Sequence, residues 1–162
     1  MRKLFLILLT LTSVPSAQAG IGELDAAFNA FREASAAGEY DRAVQHARTA
    51  WKESLEIPEL LLPIRAVLAV NFSDTTLLGD SNEATIKEAN AALQYMIKLI
   101  SKERGAADAS LASFYERLGH FEQPKTGSID TGLKILKGAH GTNSIQVADY
   151  LLRVGQNLGR VP

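Results

Sequence analysis

The chain has 162 residues, with 17 Lys and Arg against 18 Asp and Glu, and no cysteine. A near-neutral, mixed charge excludes the basic stripe that nucleic-acid binding or attachment to anionic lipid requires. Without disulfides the fold has to rest on a packed apolar core, which one domain of this length can supply.

In chain order, the first predicted element is a targeting segment. Residues 1–19, MRKLFLILLTLTSVPSAQA, start with Arg2 and Lys3 and continue with an apolar run from Leu4 to Leu11 broken only by Thr10. Ser13, Pro15 and the small pair Ala17-x-Ala19 complete the pattern of a secretory signal peptide cleaved after Ala19. The run is shorter than the ~20 apolar residues of a membrane-spanning helix, so no membrane span is expected after cleavage. No cysteine follows for lipid attachment. Cleavage removes two basic residues and no acidic one, taking the formal charge from −1 to −3. The short basic and apolar regions are of bacterial type, which predicts a periplasmic or secreted protein.

Residues 20–162 read as one helical domain. Ile21 to Ala37 places Leu24, Ala27, Phe28, Ala30, Phe31 and Ala34 three and four apart on one stripe. Gly38, free to take a left-handed cap, ends that helix. Glu39-Tyr40-Asp41 opens a second helix with Ala43, Val44, Ala47, Ala50 and Trp51 on one face. A third is predicted over about 58–72, with Pro63 in its first turns, and SDTTLLGDSN (73–82) reads as a loop. A fourth runs over 83–102, with Ile86, Ala89, Leu93, Met96, Ile97 and Ile100 in register. A fifth covers 107–118 and ends at Gly119. The stretch FEQPKTGS (121–128) reads as a loop, because Pro124 and Gly127 interrupt helix. A sixth covers 129–137 and a seventh 144–158. No segment alternates apolar and polar residues, so the class is all-α.

Spacing chooses between a closed bundle and an open array. The second, fourth and sixth helices each start with a bulky residue and a small one three later: Tyr40 with Ala43, Ile86 with Ala89, Ile129 with Gly132. A recurrence every 46 and then 43 positions is that of one helix corner built three times, the small residue admitting a neighbour and the bulky one plugging the gap.

The stretch Ala36-Ala37-Gly38-Glu39-Tyr40-Asp41-Arg42-Ala43-Val44, with Ala50 at a later small position, resembles the turn and second helix of a tetratricopeptide repeat (TPR). Leu133-Lys134-Ile135-Leu136, Gly141, Asn143-Ser144, Val147-Ala148-Asp149-Tyr150-Leu151 and Val154-Gly155 are similar to the kinesin-light-chain-like variant of that repeat. Ser144 stands where that variant usually has Pro, Gly132 stands for Ala, and the middle unit matches only by period. The resemblance implies a right-handed α-solenoid of antiparallel helix pairs, about three pairs plus a C-terminal capping helix. Gly138 and Gly141 would let the chain reverse, with Asn143 or Ser144 capping the last helix. Arg153, Gln156, Asn157 and Arg160 would give that helix one wet face.

Such arrays bind a peptide or helix along the groove lined by the first helix of each pair. In this register Asp25, Phe28, Asn29 and Arg32 face the groove from the first pair, and Asp149, Leu152, Arg153 and Gln156 from the last helix. Phe28 is open to two assignments, a contact beside Arg32 or core against the second helix. Trp51 is expected in the core, and Tyr115 and Tyr150 half-buried.

No nucleophile elbow and no Gly-rich phosphate loop is present. No catalytic residue, metal site or cofactor is therefore assigned, and the chain reads as a non-enzyme. The expectation is an exported adaptor binding a protein partner of the cell envelope, with no nucleic acid. The alternatives are a small exported hydrolase or metal-dependent protein, for which His120, Glu122 and His140 are the only pointer, and an inhibitor or immunity-type protein.

Overall fold

The computed structural model describes residues 15–79, 81–121 and 127–158, and the side chains within those spans except 15–19 and 157–158. Residues 1–14 of the expected signal peptide, Glu122 and Arg160 lie outside the described residues, as does the side chain of Asn157. Seven helices follow one another: α1 Pro15–Ala36, α2 Tyr40–Leu55, α3 Leu62–Leu78, α4 Glu83–Arg104, α5 Leu111–Phe121, α6 Gly127–His140 and α7 Ile145–Leu158. Among the described residues there is no strand, as the missing alternation predicts.

Local chemistry explains the ends. Gly38, Gly105 and Gly141 all have positive φ (73°, 93° and 83°) and stop α1, α4 and α6 in a conformation that disfavours any side chain. Asn82 caps α4 by accepting from the Thr85 N–H at 3.0 Å. Ser144 caps α7 through the Val147 N–H at 3.4 Å. The compact break between α6 and α7 is thus a left-handed glycine followed by a serine cap, while Gly138 stays inside α6.

Several expected boundaries shift: α1 starts at Pro15 ahead of Ile21, α6 spans Gly127–His140 where 129–137 was expected, and both ends of α3 and α5 move. Helix α3 starts at Leu62 with Pro63 in its first turn, where a missing N–H costs nothing. It then runs on through 73–78, which had read as loop. The hydroxyls of Ser73, Thr75 and Thr76 fold back and donate to the carbonyls of Val70, Asn71 and Phe72 at 2.6–2.9 Å, so these polar residues are buried inside a continuous helix. Helix α5 starts later, at Leu111, because the Asp108 carboxylate accepts from Ser110 and holds a turn there. It continues past Gly119 to Phe121.

Helices pack in sequence order, each on the one before, with further contacts from α3 to α5 and from α5 to α7. One apolar cluster runs from Leu24 and Ala27 of α1 through Trp51, Phe72, Leu93 and Met96 to Leu111, Phe114 and Leu118 of α5. A second joins Ala112 of α5, Leu136 of α6 and Val147, Tyr150 and Val154 of α7. Helix α1 contributes only to the first and α7 only to the second. The small corner residues do what their spacing predicts: Ala43 and Ala89 are fully buried, and a Cβ at Gly132 would lie 2.4 Å from the Tyr150 hydroxyl. The bulky partner differs among corners. Ile129 fills the notch at Gly119, whereas Tyr40 is exposed beside Gly79.

Candidate functional site

Helix α3 is apolar on more than one face, and the core uses only one of them. Leu68, Ala69 and Phe72 are buried, together with the polar Arg65, Ser73, Thr75 and Thr76. Away from them, positions 64, 67, 71, 74 and 78 form a second stripe at helical spacing. On it Ile64 is 42 % exposed, Val67 50 % and Leu78 55 %, and Leu61 just before the helix is 53 % exposed. These side chains remain in water although their neighbours are packed.

Arginine–carboxylate pairs tie this stripe to the helices beyond it. Asp74 of α3 receives the Arg117 guanidinium of α5 through Nε at 2.7 Å and Nη2 at 3.0 Å. Glu116 of α5, buried at 4 % exposure, receives Arg153 of α7 through Nε at 3.1 Å and Nη2 at 3.0 Å. The remaining Arg153 nitrogen donates to Asp149. The hydrogen bond from Glu116 raises the Arg153 pKa further above its ordinary value. Glu88 of α4 accepts from Arg48 of α2 and pairs with Lys52 at 3.3 Å. These cations, Arg48 first, hold its carboxyl below the usual glutamate value. Trp51 and Tyr95 meet edge to face beside this link, ring centres 5.8 Å apart.

The sequence-predicted groove residues fall in two separate places. Asp25, Asn29 and Arg32 are exposed on α1. Phe28 is half-buried, packs on the first core cluster and sits 5.8 Å from Phe31. Asp149, Leu152 and Gln156 are exposed on α7, and Arg153 is half-buried on Glu116. Helices α1 and α7 stand at opposite ends of the packing order, so the structure does not bring the two groups together. Trp51 is buried as expected, and Tyr115 is half-buried. Tyr150 is fully buried instead of half-buried, its hydroxyl donating to the Ile129 carbonyl at 2.9 Å. Burial pushes its phenol pKa well above the ordinary value.

One expectation about α7 is corrected. Of the residues expected on its wet face, Gln156 is exposed but Arg153 is half-buried on Glu116, and Ile145, Leu151 and Leu152 are exposed elsewhere on the helix, at 79 %, 48 % and 59 %. Val147, Tyr150 and Val154 turn inward, which leaves the stripe of Ala148, Leu151 and Leu152 turned outward. The apolar stripe of α3 was missed as well, although Leu61, Ile64, Val67, Leu77 and Leu78 are too many for a single buried face. That surplus was the available signal.

The histidines do not converge. Ile129 packs at Gly119, so the start of α6 lies beside His120. His140 ends α6 eleven residues later, about 16 Å along the axis at 1.5 Å per residue. Burial lowers the His120 pKa, as expected for an imidazole losing water. Among the described residues no three His, Cys, Asp or Glu side chains are grouped to hold a metal ion, and no helix is long and apolar enough to cross a membrane. Comparison with protein-family models, with curated proteins and with solved structures finds no match for the chain.

Proposed function

We propose that the chain is an exported, TPR-like helical-repeat module that holds an apolar helix or extended segment of a partner protein in the bacterial envelope. The observation that carries this reading is the second stripe of α3, where Ile64, Val67 and Leu78 stay exposed on a helix fixed by its other face. Leu61, Ile64 and Val67 make one exposed apolar surface at the start of the helix, separated from Leu77 and Leu78 by Asn71 and Asp74, and exposed apolar surface bordered by polar groups is a usual mark of a protein interaction site. Asp74, Arg117 and Asn71 supply such a rim, and the rigid arginine pairs preorganise it. In a right-handed stack of helix pairs, α1, α3, α5 and α7 line the groove. Asp25, Asn29 and Arg32 are its polar contacts at one end, with Asp149, Leu152, Arg153 and Gln156 at the other.

Export fits the same picture. The buried α1 side chains Leu24, Ala27 and Ala34 all follow Ala19, so cleavage there keeps them in the fold. Two measurements test the reading together. N-terminal sequencing of protein from the envelope fraction is expected to begin at Gly20; a chain retained in the cytoplasm with its first residues intact contradicts export. A photo-crosslinking residue at Val67 is expected to capture one discrete partner in cells, while the same residue at exposed Lys98 of α4 captures none. Equal labelling from both positions, or none from Val67, removes the groove.

A further inference from the structure

The first helix is held unevenly along its length. Its first described side chain to enter the core is Leu24, followed by Ala27 and Ala34. Ahead of Leu24 stand Gly20, Ile21, Gly22 and Glu23. The last three of these are exposed, and Gly20 is half-buried, facing Ile57.

The two glycines add an independent observation. Glycine inside a helix is disfavoured relative to alanine. Packing requires one at Gly132, against Tyr150 and Ala112, and at Gly119, against Ile129. It requires none at the start of α1. A Cβ at Gly22 would meet nothing within 4 Å, and one at Gly20 would make only an ordinary contact with Ile57, at 3.5 Å. What these glycines change is the ease with which the helix start unwinds.

The Ala19–Gly20 bond lies in this stretch, and it is helical, because α1 begins at Pro15. A peptidase takes its substrate extended, pairing with backbone N–H and C=O groups that a helix keeps for itself. The bond is therefore closed to hydrolysis while the first two turns of α1 stand. Unwinding as far as Glu23 frees both sides of it and withdraws none of the described core side chains. We propose that residues 15–23 open as a unit while the rest of the fold stands, and so present Ala19–Gly20 to a signal peptidase on the folded precursor. This inference rests on the proposed export of the chain. Ala17 and Ala19 supply the small side chains that such a peptidase reads. In the cut, water adds across the bond: the Ala19 carbonyl becomes a carboxylate, and the Gly20 nitrogen leaves as the new terminal ammonium. Folding and processing are then independent, since neither has to wait for the other.

Incubating the folded, purified full-length chain with a bacterial signal peptidase tests this. Cleavage is expected at Ala19–Gly20, at a rate set by the population of the open start. Gly22→Ala should slow it about fivefold by favouring the helix. The same substitution should slow amide hydrogen exchange of residues 20–24 by that factor and leave α2 unchanged. Ile100→Val, in the core on α4, lowers global stability and should leave the cleavage rate as it was. If the bond opens only when the whole chain unfolds, Ile100→Val raises the rate between about twofold and tenfold, and the proposal is overturned. Slower cleavage of Gly22→Ala with unchanged exchange overturns it too, because the substitution then acts on the peptidase. Failure of export has a separate signature. Residues 20–24 exchange faster than α2, yet no cut appears at Ala19–Gly20 under any condition, and this inference falls with the reading it rests on.

Discussion

Gly132 sits where α5, α6 and α7 converge, and its lack of a side chain is what allows Tyr150 to lie fully buried with its hydroxyl on the Ile129 carbonyl. A methyl group there would stand 2.4 Å from the phenol oxygen and 3.1 Å from its ring carbon and from the Ala112 carbonyl. Gly132→Ala is therefore expected to lower stability by about 1–3 kcal/mol, the range for overpacking a filled core, as read from urea unfolding. Tyr150→Phe alone should also destabilise, by removing the buried hydrogen bond that its hydroxyl donates to the Ile129 carbonyl. Combined with Gly132→Ala it should cost less than the sum of the two, because the closest contact has gone. Strict additivity would mean that the two residues do not press on one another. Glu88 gives a pH signature. Its carboxyl is held below the ordinary 4.5 by Arg48 and Lys52, so its contribution to stability is present above that value and fades as pH falls through the lower folded value. The gap in urea midpoint between the native chain and Glu88→Gln should be open at pH 7 and narrow as pH falls below the ordinary glutamate range. A gap independent of pH would contradict the assignment.

At the scale of elements, the joint between α2 and α3 is fixed by one buried cation. Arg65 of α3, 9 % exposed, donates to the carbonyl of Ser54 at 3.1 Å and to that of Ile57 at 2.6 Å, satisfying acceptors where α2 ends. Arg65→Met is expected to cost about 1–3 kcal/mol by removing the Arg65 donor from the buried Ser54 carbonyl and one of the two donors to the Ile57 carbonyl, which keeps the Leu60 N–H. Its hydrogen exchange should quicken first near residues 54–65, and uniform loss across all seven helices would show that the joint is not local. Helices such as α2 and α4 were legible in the sequence because one face is apolar and the other charged. Their buried residues Val44, Ala47, Trp51, Leu93 and Met96 follow that period. Helix α3 was only half legible. Ser73, Thr75 and Thr76 look like turn residues until their hydroxyls are seen bonded to the helix backbone. An all-round apolar helix, moreover, does not say which stripe the neighbours will cover. Arg153 was legible as a prominent residue, but its buried partner Glu116 lies 37 positions away and no local pattern joins them.

Across the whole molecule, the order of packing matters more than any single contact. Each helix lies on its predecessor, and the two apolar clusters hand over at α5, one ending in Leu111 and Leu118 and the other starting at Ala112. A row of this kind leaves its two ends apart and its side stripes uncovered, which is why Ile64, Val67, Leu151 and Leu152 remain in water. A closed bundle of the same helices would have folded such residues inward. The proposed groove depends on that openness. Pairwise spin-label distances from Asn29 on α1 to Asn71 on α3, Ser113 on α5 and Gln156 on α7, measured in doubly labelled chains diluted with unlabelled protein, test it most directly. Distances that lengthen in that order are the predicted result; an α1-to-α7 distance as short as that from α1 to α3 would mean that the helices close around a common centre, and would contradict the account.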